Sequence, residues 1–405
     1  MHLCLNEVRN CELRTKNCNA LRLMMDHQTF EKQRFGGISR YFYELASRMT
    51  DIETTIPLRY SVNQYIMQRD VTRFTAPPQW LYKMFKGNFK SLNRRHTVRT
   101  MRHTDFDIFH PTYYDPYFLP HLGDRPFVLT IHDMTHERYP QYFSPSDPTP
   151  ERKRLLASRA ARIIAISQNT KRDIVELLGV PEEKIDVIYH GISSPLVPLI
   201  GCAALGLPDH YILYVGERRW YKNFQRTLAA FSELHRIHPD VHLVLTGRPL
   251  SRSEQRWLSE MGVSQAVHCL SDVSDHRLSQ LYRHALAFVY PSCYEGFGIP
   301  ILEAFAQDCP VCLSQGSCFP EVAGEAAVYF QPGETDDILR ALRTLVEDAT
   351  LRSHLAQLGR QRLPLFTWDR TARQTEDTYR KALNSEDETL RYENEKEYGY
   401  ASIEK

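Results

Sequence analysis

Short apolar runs alternate with longer amphipathic segments along most of this 405-residue chain. The runs at 211–215 (Tyr-Ile-Leu-Tyr-Val) and 287–290 (Ala-Phe-Val-Tyr) are examples. A continuous apolar run of about four to eight residues is typical of a strand that is buried on both faces. Parallel strands need a crossover connection, and an amphipathic helix is the usual one. The pattern therefore predicts an α/β fold with parallel sheets.

The predicted strands fall into two sets along the chain. The first set lies at 21–25, 106–110, 127–131, 161–166 and 185–189. The second lies at 211–215, 243–246, 267–270, 287–290, 311–313 and 327–330. Each set can form its own doubly wound sheet with helices on both faces. In the first set, a helix over 170–178 is expected to begin with Thr170 as its cap and to stop at Gly179.

The length of the chain also indicates two domains, because single hydrophobic cores seldom grow beyond about 250 to 300 residues. The segment 193–209 is rich in proline and glycine, which interrupt regular structure and suit a linker. We predict an extension at 1–20, a first domain at 21–195 and a second at 196–365. A helix at 366–383 is expected to pack back on the first domain, followed by a polar tail at 384–405.

Composition places the chain among soluble globular proteins, with 42% hydrophobic and 24% charged residues. No apolar stretch approaches the roughly 20 residues of a membrane span, and charges interrupt the first twenty residues. The nine cysteines are scattered and odd in number, which favours a reducing compartment over a disulfide framework. Cys309 and Cys312 form a single CxxC, which fits a buried strand better than a zinc site. These features predict a cytoplasmic protein.

The segment 79–103 carries a concentration of positive charge without any acid. Its seven cations are Lys83, Lys86, Lys90, Arg94, Arg95, Arg99 and Arg102. A surface of this kind attracts anions, and an anionic membrane or a lipid-linked molecule is one candidate. A solvated helical face is the simpler alternative. No nucleic acid partner is expected.

Unusual residues follow several predicted strands, where open parallel sheets bind their ligands. Gly36 and Gly37 follow the first strand and open a helix, so they can let a ligand approach the backbone, although a tight turn would use them equally well. His132 follows the strand at 127–131 and can contact a sugar hydroxyl or serve as a structural histidine. The loop 216–223 contains Arg218 and Lys222, which suit a diphosphate but are also common in exposed loops.

The segment 294–303 is the strongest functional candidate in the sequence. Gly296 and Gly298 allow loop amides to point at a phosphate, and Pro300 suits the first turn of a helix. Glu295 and Glu303 flank this loop and can hold hydroxyl groups on either side of the phosphate. A solvated helix start would explain the two acids, but not the glycines or the preceding strand.

These residues resemble the retaining glycosyltransferases of family four, which have the GT-B architecture of two facing Rossmann-like domains. The Glu-x7-Glu signature of that family matches at Glu295 and Glu303. Its surroundings match at 291–292, at 304–305 and at 320–324 (Pro-Glu-Val-Ala-Gly). The resemblance extends from about residue 21 to residue 383. It implies an N-terminal acceptor domain and a C-terminal nucleotide-sugar domain.

The resemblance also assigns roles to individual residues. Gly36 and Gly37 would form the loop under the donor phosphates and the acceptor, with His132 near the transferred sugar. Lys222 would neutralise the diphosphate and Glu295 would hold sugar hydroxyls. The remaining donor contacts would be Gly296, Phe297, Gly298, Glu303 at the ribose and the region of Val273 at the base. Many relatives have an arginine directly after the glycine that matches Gly216, where this chain has Glu217, so Arg218 is the expected substitute.

The chemistry implied by the resemblance is glycosyl transfer with retained anomeric configuration, without metal or bound cofactor. Lysine, arginine and helix amides would take the place of a divalent ion. The stretch 33–45 (Gln-Arg-Phe-Gly-Gly-Ile-Ser-Arg-Tyr-Phe-Tyr-Glu-Leu) is similar to mannosyltransferase-type members that build bacterial surface polysaccharides. This similarity implies a GDP-sugar donor, such as GDP-mannose, and a saccharide or lipid-linked acceptor.

Three other functions are compatible with parts of this pattern. A non-hydrolysing sugar-nucleotide epimerase would share the two-domain fold, but the context of Glu295 and Glu303 is a transferase trait. A non-catalytic subunit that binds a sugar nucleotide would be consistent with Glu217. A nicotinamide dehydrogenase is the weakest alternative, because no GxGxxG follows the first strand.

Overall fold

The computed structural model describes residues 20–32, 34–67, 72–193, 196–198, 200–218 and 220–399, with 203–204 and 385–399 described by their backbone alone. Two α/β domains, each built on parallel strands, form the molecule. All but the last six residues of the polar tail are therefore described, whereas nearly all of the predicted extension at 1–20 lies outside these ranges.

The first domain contains two three-stranded parallel sheets, ordered β2-β1-β3 and β4-β5-β6. A single bridge between Phe109 and Phe127 connects them edge to edge. The predicted strands of this half are confirmed, but the short edge strand β2 was missed because its residues, Glu-Thr-Thr, are polar. The strands are β1 (Arg22–Met25), β2 (Glu53–Thr55), β3 (Ile108–His110), β4 (Val128–Ile131), β5 (Arg162–Ala165) and β6 (Ile185–Val187).

The helices of the first domain cover the two sheets. The helices are α1 (Gln28–Lys32), α2 (Gly37–Arg48), α3 (Gln64–Met67), α4 (Gln79–Met84), α5 (Lys86–His103), α6 (Leu119–Leu122), α7 (Thr135–Arg138), α8 (Thr149–Arg159) and α9 (Gln168–Leu178). The expected cap of α9 was wrong, since the helix begins two residues before Thr170. Ser167 is the cap, and its hydroxyl accepts a hydrogen bond from the Thr170 amide. Gly179 ends the helix in the left-handed conformation, as expected.

The second domain contains one six-stranded parallel sheet, ordered β12-β11-β10-β7-β8-β9. The order reverses direction between β7 and β10, which places a crevice at the carboxyl ends of these two strands. All predicted strands of this half are confirmed. The strands are β7 (Tyr211–Val215), β8 (His242–Thr246), β9 (Val267–Leu270), β10 (Ala287–Tyr290), β11 (Val311–Ser314) and β12 (Ala327–Phe330).

Helices lie on both faces of this sheet, with separate apolar clusters against each face. Cys309 and Cys312 are buried in this core as free thiols. The helices are α10 (Phe224–Ile237), α11 (Arg252–Glu260), α12 (Asp275–His284), α13 (Ile299–Ala306), α14 (Phe319–Ala323), α15 (Thr335–Glu347) and α16 (Ala349–Arg362). None of the helices in the described part of the chain is long and apolar enough to cross a membrane.

The last helix, α17 (Trp368–Gly399), returns to the first domain. Trp368, Ala372 and Tyr379 join an apolar cluster with Tyr41 and Phe42 of α2. The Tyr379 hydroxyl lies 2.7 Å from Nδ1 of the β3 residue His110, which is buried. The chain therefore crosses between the domains a second time and ties them together. The exact domain limits at 195, 365 and 383 stay predictions.

Candidate active site

The carboxyl ends of the central strands supply the loops of a cleft between the two domains. The β1–β3 register pairs Met25 with His110, and the β4–β5 register pairs Ile131 with Ala165. In the second domain, the β7–β8 register pairs Val215 with Thr246. Because parallel strands end together, the loops that follow them gather at one edge of each sheet. The predicted site residues are on these loops and on the helices that they open.

The glycine pair of the first domain lies against the second domain. Gly36 immediately precedes α2 and Gly37 is the first residue of that helix. A Cβ built on Gly37 would lie 4.0 Å from the Ile299 Cδ1 atom, at the start of α13. Gly298 precedes that helix with a φ of 93°, a conformation that favours glycine. The amino ends of two helices therefore meet across the cleft, and a helix start of this kind favours an anion.

Gly296 lies in close contact with the backbone of the first domain. A Cβ at this position would lie 1.8 Å from the carbonyl oxygen of His132, so any side chain here would collide with backbone. The Gly296 carbonyl accepts a hydrogen bond of 2.8 Å from Ser167 Oγ of the first domain. Glu321 of the second domain accepts one of 2.6 Å from the Gln168 amide. Gly296 thus permits the close approach of the loops that carry His132 and Glu295.

His132 lies in a buried aromatic environment. Its ring stacks parallel to His190 at a centroid distance of 5.8 Å and meets Tyr41 edge-on at 5.3 Å. Burial lowers the pKa of His132 to about 4, so the imidazole is neutral at physiological pH. Its Nε2 atom has no hydrogen-bond partner in the described part of the protein. A neutral imidazole with a spare nitrogen can exchange a hydrogen bond with a sugar hydroxyl.

Phe297 has a packing role that the sequence did not reveal. Its ring is buried against Tyr189, His190 and Phe366, at centroid distances of 5.9, 5.2 and 5.8 Å. Tyr189 and His190 lie near the end of the first domain, and Phe366 lies just before the helix that returns to it. The Phe297 ring therefore packs against both segments through which the chain passes between the domains. The side chain is therefore committed to the interface, and any donor contact of Phe297 would come from its backbone.

Lys222 and Glu295 form an ion pair at the centre of the second domain's crevice. Lys222 ends a short 3₁₀ turn after β7, and a hydrogen bond of 2.7 Å from the Cys293 amide to the Tyr221 carbonyl ties this turn to the Glu295 loop. Burial by itself lowers the pKa of Lys222, but the charges of Glu295, Tyr221 and Asp133 outweigh it and raise the value overall. The Ser317 hydroxyl holds the Glu295 amide at 3.0 Å.

Glu303 lies in the first turns of α13, on the same side of the crevice. The Tyr282 hydroxyl donates to its carboxylate at 3.3 Å. Burial raises the pKa of Glu303, and the charge of Arg40 partly offsets this effect. Arg40, one turn after the glycine pair in α2, is a cation of this site that the sequence reasoning missed. The helical spacing from Gly36 could have indicated it, since residues four apart share a face.

Arg218 is buried in an ion pair of its own, separate from that of Lys222. Its side chain is 0% exposed, and its Nε donates to Glu254 at 2.9 Å. Its Nη2 also donates to the carbonyls of Arg248 and Pro249, whereas Nη1 has no partner within the described ranges. Glu254 belongs to the capping box of α11, so Arg218 anchors that helix start to the loop after β7. In this arrangement Nε and Nη2 of the guanidinium are used by contacts within the second domain, and the phosphate role of Arg218 stays a prediction.

Val273 follows β9 at the same edge of the sheet and is half-buried against the second domain's core. Its contact with a nucleotide base stays a prediction. No group of three or more His, Cys, Asp or Glu side chains in the described ranges is arranged to hold a metal ion. The cations that accompany the acidic residues of this site are Lys222 and Arg40.

Comparison with known proteins agrees with this architecture. Residues 35–194 match the Glycosyltransferase Family 4 model, and residues 204–362 match the model of glycosyl transferases group 1. The chain is 30% identical over 285 residues to O-antigen chain mannosyltransferase B of Escherichia coli, covering 66% of this chain and 74% of that protein. It is 28% identical over 247 residues to the MMP alpha-(1->4)-mannosyltransferase of Mycolicibacterium hassiacum, covering 58% and 57%.

Solved structures share the fold at lower identity. Anabaena HepE in complex with UDP and glucose aligns with a TM-score of 0.70 at 18% identity, over 88% of this chain and 99% of that one. Sucrose-phosphate synthase from Thermosynechococcus elongatus aligns with a TM-score of 0.69 at 17% identity, over 90% and 100%. The family matches, the relatives and the two facing domains lead to one conclusion. The chain belongs to the family-four glycosyltransferases and has their GT-B fold.

Proposed function

We propose that this protein is a retaining mannosyltransferase, which transfers mannose or a related sugar from a GDP-linked donor to a saccharide or lipid-linked acceptor. The observation that carries the proposal is the Lys222–Glu295 ion pair beside the Gly296–Gly298 loop. It combines a mostly buried cation, a carboxylate and helix-start amides at one crevice. A sugar attached to a diphosphate requires these three features together.

Lys222 is the group that stabilises the leaving diphosphate in this proposal. Without donor, its ammonium is neutralised by Glu295. When the donor binds, the diphosphate becomes the new partner of Lys222, and Glu295 turns to the hydroxyls of the sugar. The negative charge on the diphosphate grows as the glycosidic bond breaks, so the interaction with Lys222 strengthens in the transition state.

The other site residues position the donor and the sugar. Glu303, held by Tyr282, accepts hydrogen bonds from the ribose, and Val273 lies at the base. His132, neutral because of its burial, meets a hydroxyl of the transferred sugar through Nε2. The acceptor hydroxyl attacks on the face that the diphosphate leaves. Its proton passes to a diphosphate oxygen, so the anomeric configuration is retained without a protein nucleophile or a metal ion.

Similarity to relatives supports mannose and surface polysaccharide as the substrate class. The O-antigen chain mannosyltransferase B of Escherichia coli aligns with 66% of this chain, and the O-antigen chain mannosyltransferase RfbU of Salmonella typhimurium aligns with 54% of it at 28% identity. The nucleotide base of the donor has two candidates, because HepE, which shares the fold, was solved with UDP. GDP is proposed from the likeness of residues 33–45 to mannosyltransferase-type members.

Calorimetric titration with GDP and UDP, followed by turnover of GDP-mannose, tests the proposal. We expect tighter binding of GDP, and an α-linked product by NMR from the α-linked donor. Tighter binding of UDP would overturn the base assignment, and an inverted product would overturn the retaining mechanism. GDP-mannose that is bound but neither transferred nor hydrolysed would favour a non-catalytic subunit instead.

We further propose that the basic face of α4 and α5 contacts an anionic membrane at its cytoplasmic side. Trp80 and Met84 are 65% and 67% exposed beside Lys83, and Phe85 is also exposed. Phe89 does not belong to this surface, since its ring stacks on Tyr82 at 5.2 Å. Each cation near an anionic surface adds about 1 kcal/mol, and exposed apolar rings add shallow burial.

A further inference from the structure

A second polar cavity lies in the first domain, at the carboxyl ends of β1 and β3. It has a volume of about 130 Å³, and Glu31 and Asp115 contribute acidic groups to its wall. Four cations also line it, namely Lys32, Lys90, Arg94 and Arg152. Neither the Lys222–Glu295 pair nor the Gly296 loop takes part in this cavity. We call it the Glu31 cavity.

The inner wall of the Glu31 cavity is a preorganised set of hydrogen-bonding groups. Glu31 is buried, and Asn93 Nδ2 donates to its carboxylate at 3.2 Å. Burial raises the pKa of the Glu31 carboxyl to about 7, although the hydrogen bond from Asn93 and the charge of Lys90 lower it. Gln28 bridges to the loop after β3 by donating to the Asp115 carbonyl at 3.1 Å. Buried acceptors and amides of this kind suit the hydroxyl groups of a sugar.

The mouth of the cavity has more positive charge than its acids neutralise. Lys90 and Arg152 share the Asp115 carboxylate at 3.9 and 3.7 Å. Lys32 and Arg94 form no ion pair with any described residue and instead lie over tyrosine rings. The Lys32 ammonium is 2.8 Å from the centroid of Tyr113, and the Arg94 guanidinium carbon is 5.2 Å from that of Tyr117. Two unpaired cations beside one small cavity favour an anionic group.

One aromatic side chain of the cavity also contacts the loop that carries His132. Tyr114 lines the cavity, and its hydroxyl accepts a hydrogen bond of 3.1 Å from the His132 amide. The loop that carries His132 is therefore fixed by a residue of the cavity wall. This contact places the Glu31 cavity next to the His132 loop, within the first domain.

We propose that the Glu31 cavity binds a phosphorylated sugar unit of the acceptor. The hydroxyls contact Glu31, and the phosphate meets Lys32 and Arg94. The cavity is smaller than the roughly 300 Å³ at the lower end of ligand pockets, so it takes one unit rather than a whole oligosaccharide. Arginine binds phosphate through paired hydrogen bonds, which gives Arg94 the larger share of recognition. This inference deepens the proposed function and depends on it, since it specifies the acceptor.

Ligand-observed NMR titration of the full chain with α-glucose 1-phosphate tests the proposal. The titration is run with saturating GDP, so that the probe reports on a site other than the donor crevice. Glucose and inorganic phosphate are titrated in parallel to separate the contributions of the ring and the anion. Arg94→Gln is compared with Arg95→Gln, which removes the same charge from the next residue of α5 but does not line the cavity. Lys222→Ala serves as the control for the donor site.

We expect α-glucose 1-phosphate to bind more tightly than either glucose or phosphate. Arg94→Gln should weaken its binding by roughly 10-fold, the effect of losing one charge-assisted hydrogen bond, while Arg95→Gln and Lys222→Ala leave it unchanged. Equal losses of affinity in Arg94→Gln and Arg95→Gln would show that binding depends on the general positive charge of α5, which would overturn the proposal. Failure of the sugar phosphate to bind, or binding of inorganic phosphate with the same affinity, would also overturn it. Absence of GDP binding would refute the donor assignment alone.

Discussion

Replacing Lys222 by alanine removes the cation that the proposed mechanism needs most. The Lys222 and Glu295 side chains are 18% and 14% exposed, so their ion pair is mostly shielded from solvent. The substitution leaves the Glu295 carboxylate without its ammonium partner. It also leaves the departing diphosphate without a charge at that position. These two effects act on different quantities, stability and turnover, and can be measured separately.

The expected loss of turnover is larger than the expected loss of stability. Removing one preorganised charge stabiliser lowers kcat by roughly 10²-fold to 10³-fold, or about 3 to 4 kcal/mol. Breaking a fully buried ion pair costs about 3 to 5 kcal/mol, but residual exposure of both partners reduces this to about 1 to 2 kcal/mol. The pKa of Lys222 is raised in the folded protein, so the pair stabilises it below the ordinary lysine value and loses this effect as the pH rises through the raised value.

Steady-state kinetics and thermal unfolding of Lys222→Ala check this reasoning. We expect kcat to fall by about two orders of magnitude or more, with a smaller loss of GDP affinity. Lys381→Ala is the matched control, because Lys381 also pairs with a carboxylate, Asp186 at 2.8 Å, but lies on α17 away from the site. Its kcat should match that of the wild type. A folded Lys222→Ala enzyme with near wild-type turnover would show that the diphosphate binds elsewhere.

Four further predictions follow from individual contacts. Gly296→Ala should separate the domains and abolish turnover because its Cβ would collide with backbone, whereas Gly333→Ala, which has nothing within 4 Å, should be silent in kinetic assays. Arg218→Ala should lower the free energy of unfolding in urea by about 2 to 3 kcal/mol through loss of its buried ion pair; wild-type stability with lost turnover would return Arg218 to the diphosphate. Burial lowers the pKa of His110 to about 3, so the contribution of the neutral imidazole to the free energy of unfolding is present above pH 6.5 and is lost as the pH falls toward 3. His110→Gln should therefore flatten the slope of stability against pH by about 1.4 kcal/mol per unit. An unchanged slope in melts from pH 4.5 to 6.5 would refute the assignment. Trp80→Ala should weaken co-sedimentation with anionic vesicles, and binding that ignores lipid charge and salt would remove the membrane proposal.

Local physics explains why the sheets could be predicted from sequence. A strand buried on both faces must be continuously apolar, and runs such as 211–215 and 287–290 have few other stable uses. The same argument fails at β2 (Glu53–Thr55), which is a polar edge strand that exists only because β1 offers it a partner. The error at the start of α9 has a similar cause. Ser167 and Thr170 are both acceptable caps by sequence, and tertiary contacts of Ser167 with Gly296 favour the earlier start.

The candidate site shows a sharper division between the two sources of information. Spacing and residue type predict a functional role for the Glu295 loop and Lys222, because glycines and charges at strand ends have a chemical meaning that does not depend on the partner domain. Arg218 and Lys222 look equivalent in sequence, as cations of one loop. Only the tertiary structure distinguishes their surroundings: Arg218 is buried against Glu254, thirty-six residues later in the chain, whereas Lys222 pairs with Glu295.

The sequence by itself determined the fold class, the apolar strands and the chemical character of the loops at their ends, since these depend on local periodicity and residue type. The tertiary structure alone decided which loops meet. It brought Gly37 to Ile299 and Gly296 to His132, and it placed the Phe297 ring in the interface between the domains. It also formed the Glu31 cavity from α1, α5, α8 and the loop after β3. Contacts between distant segments depend on how the domains pack, which no local pattern specifies.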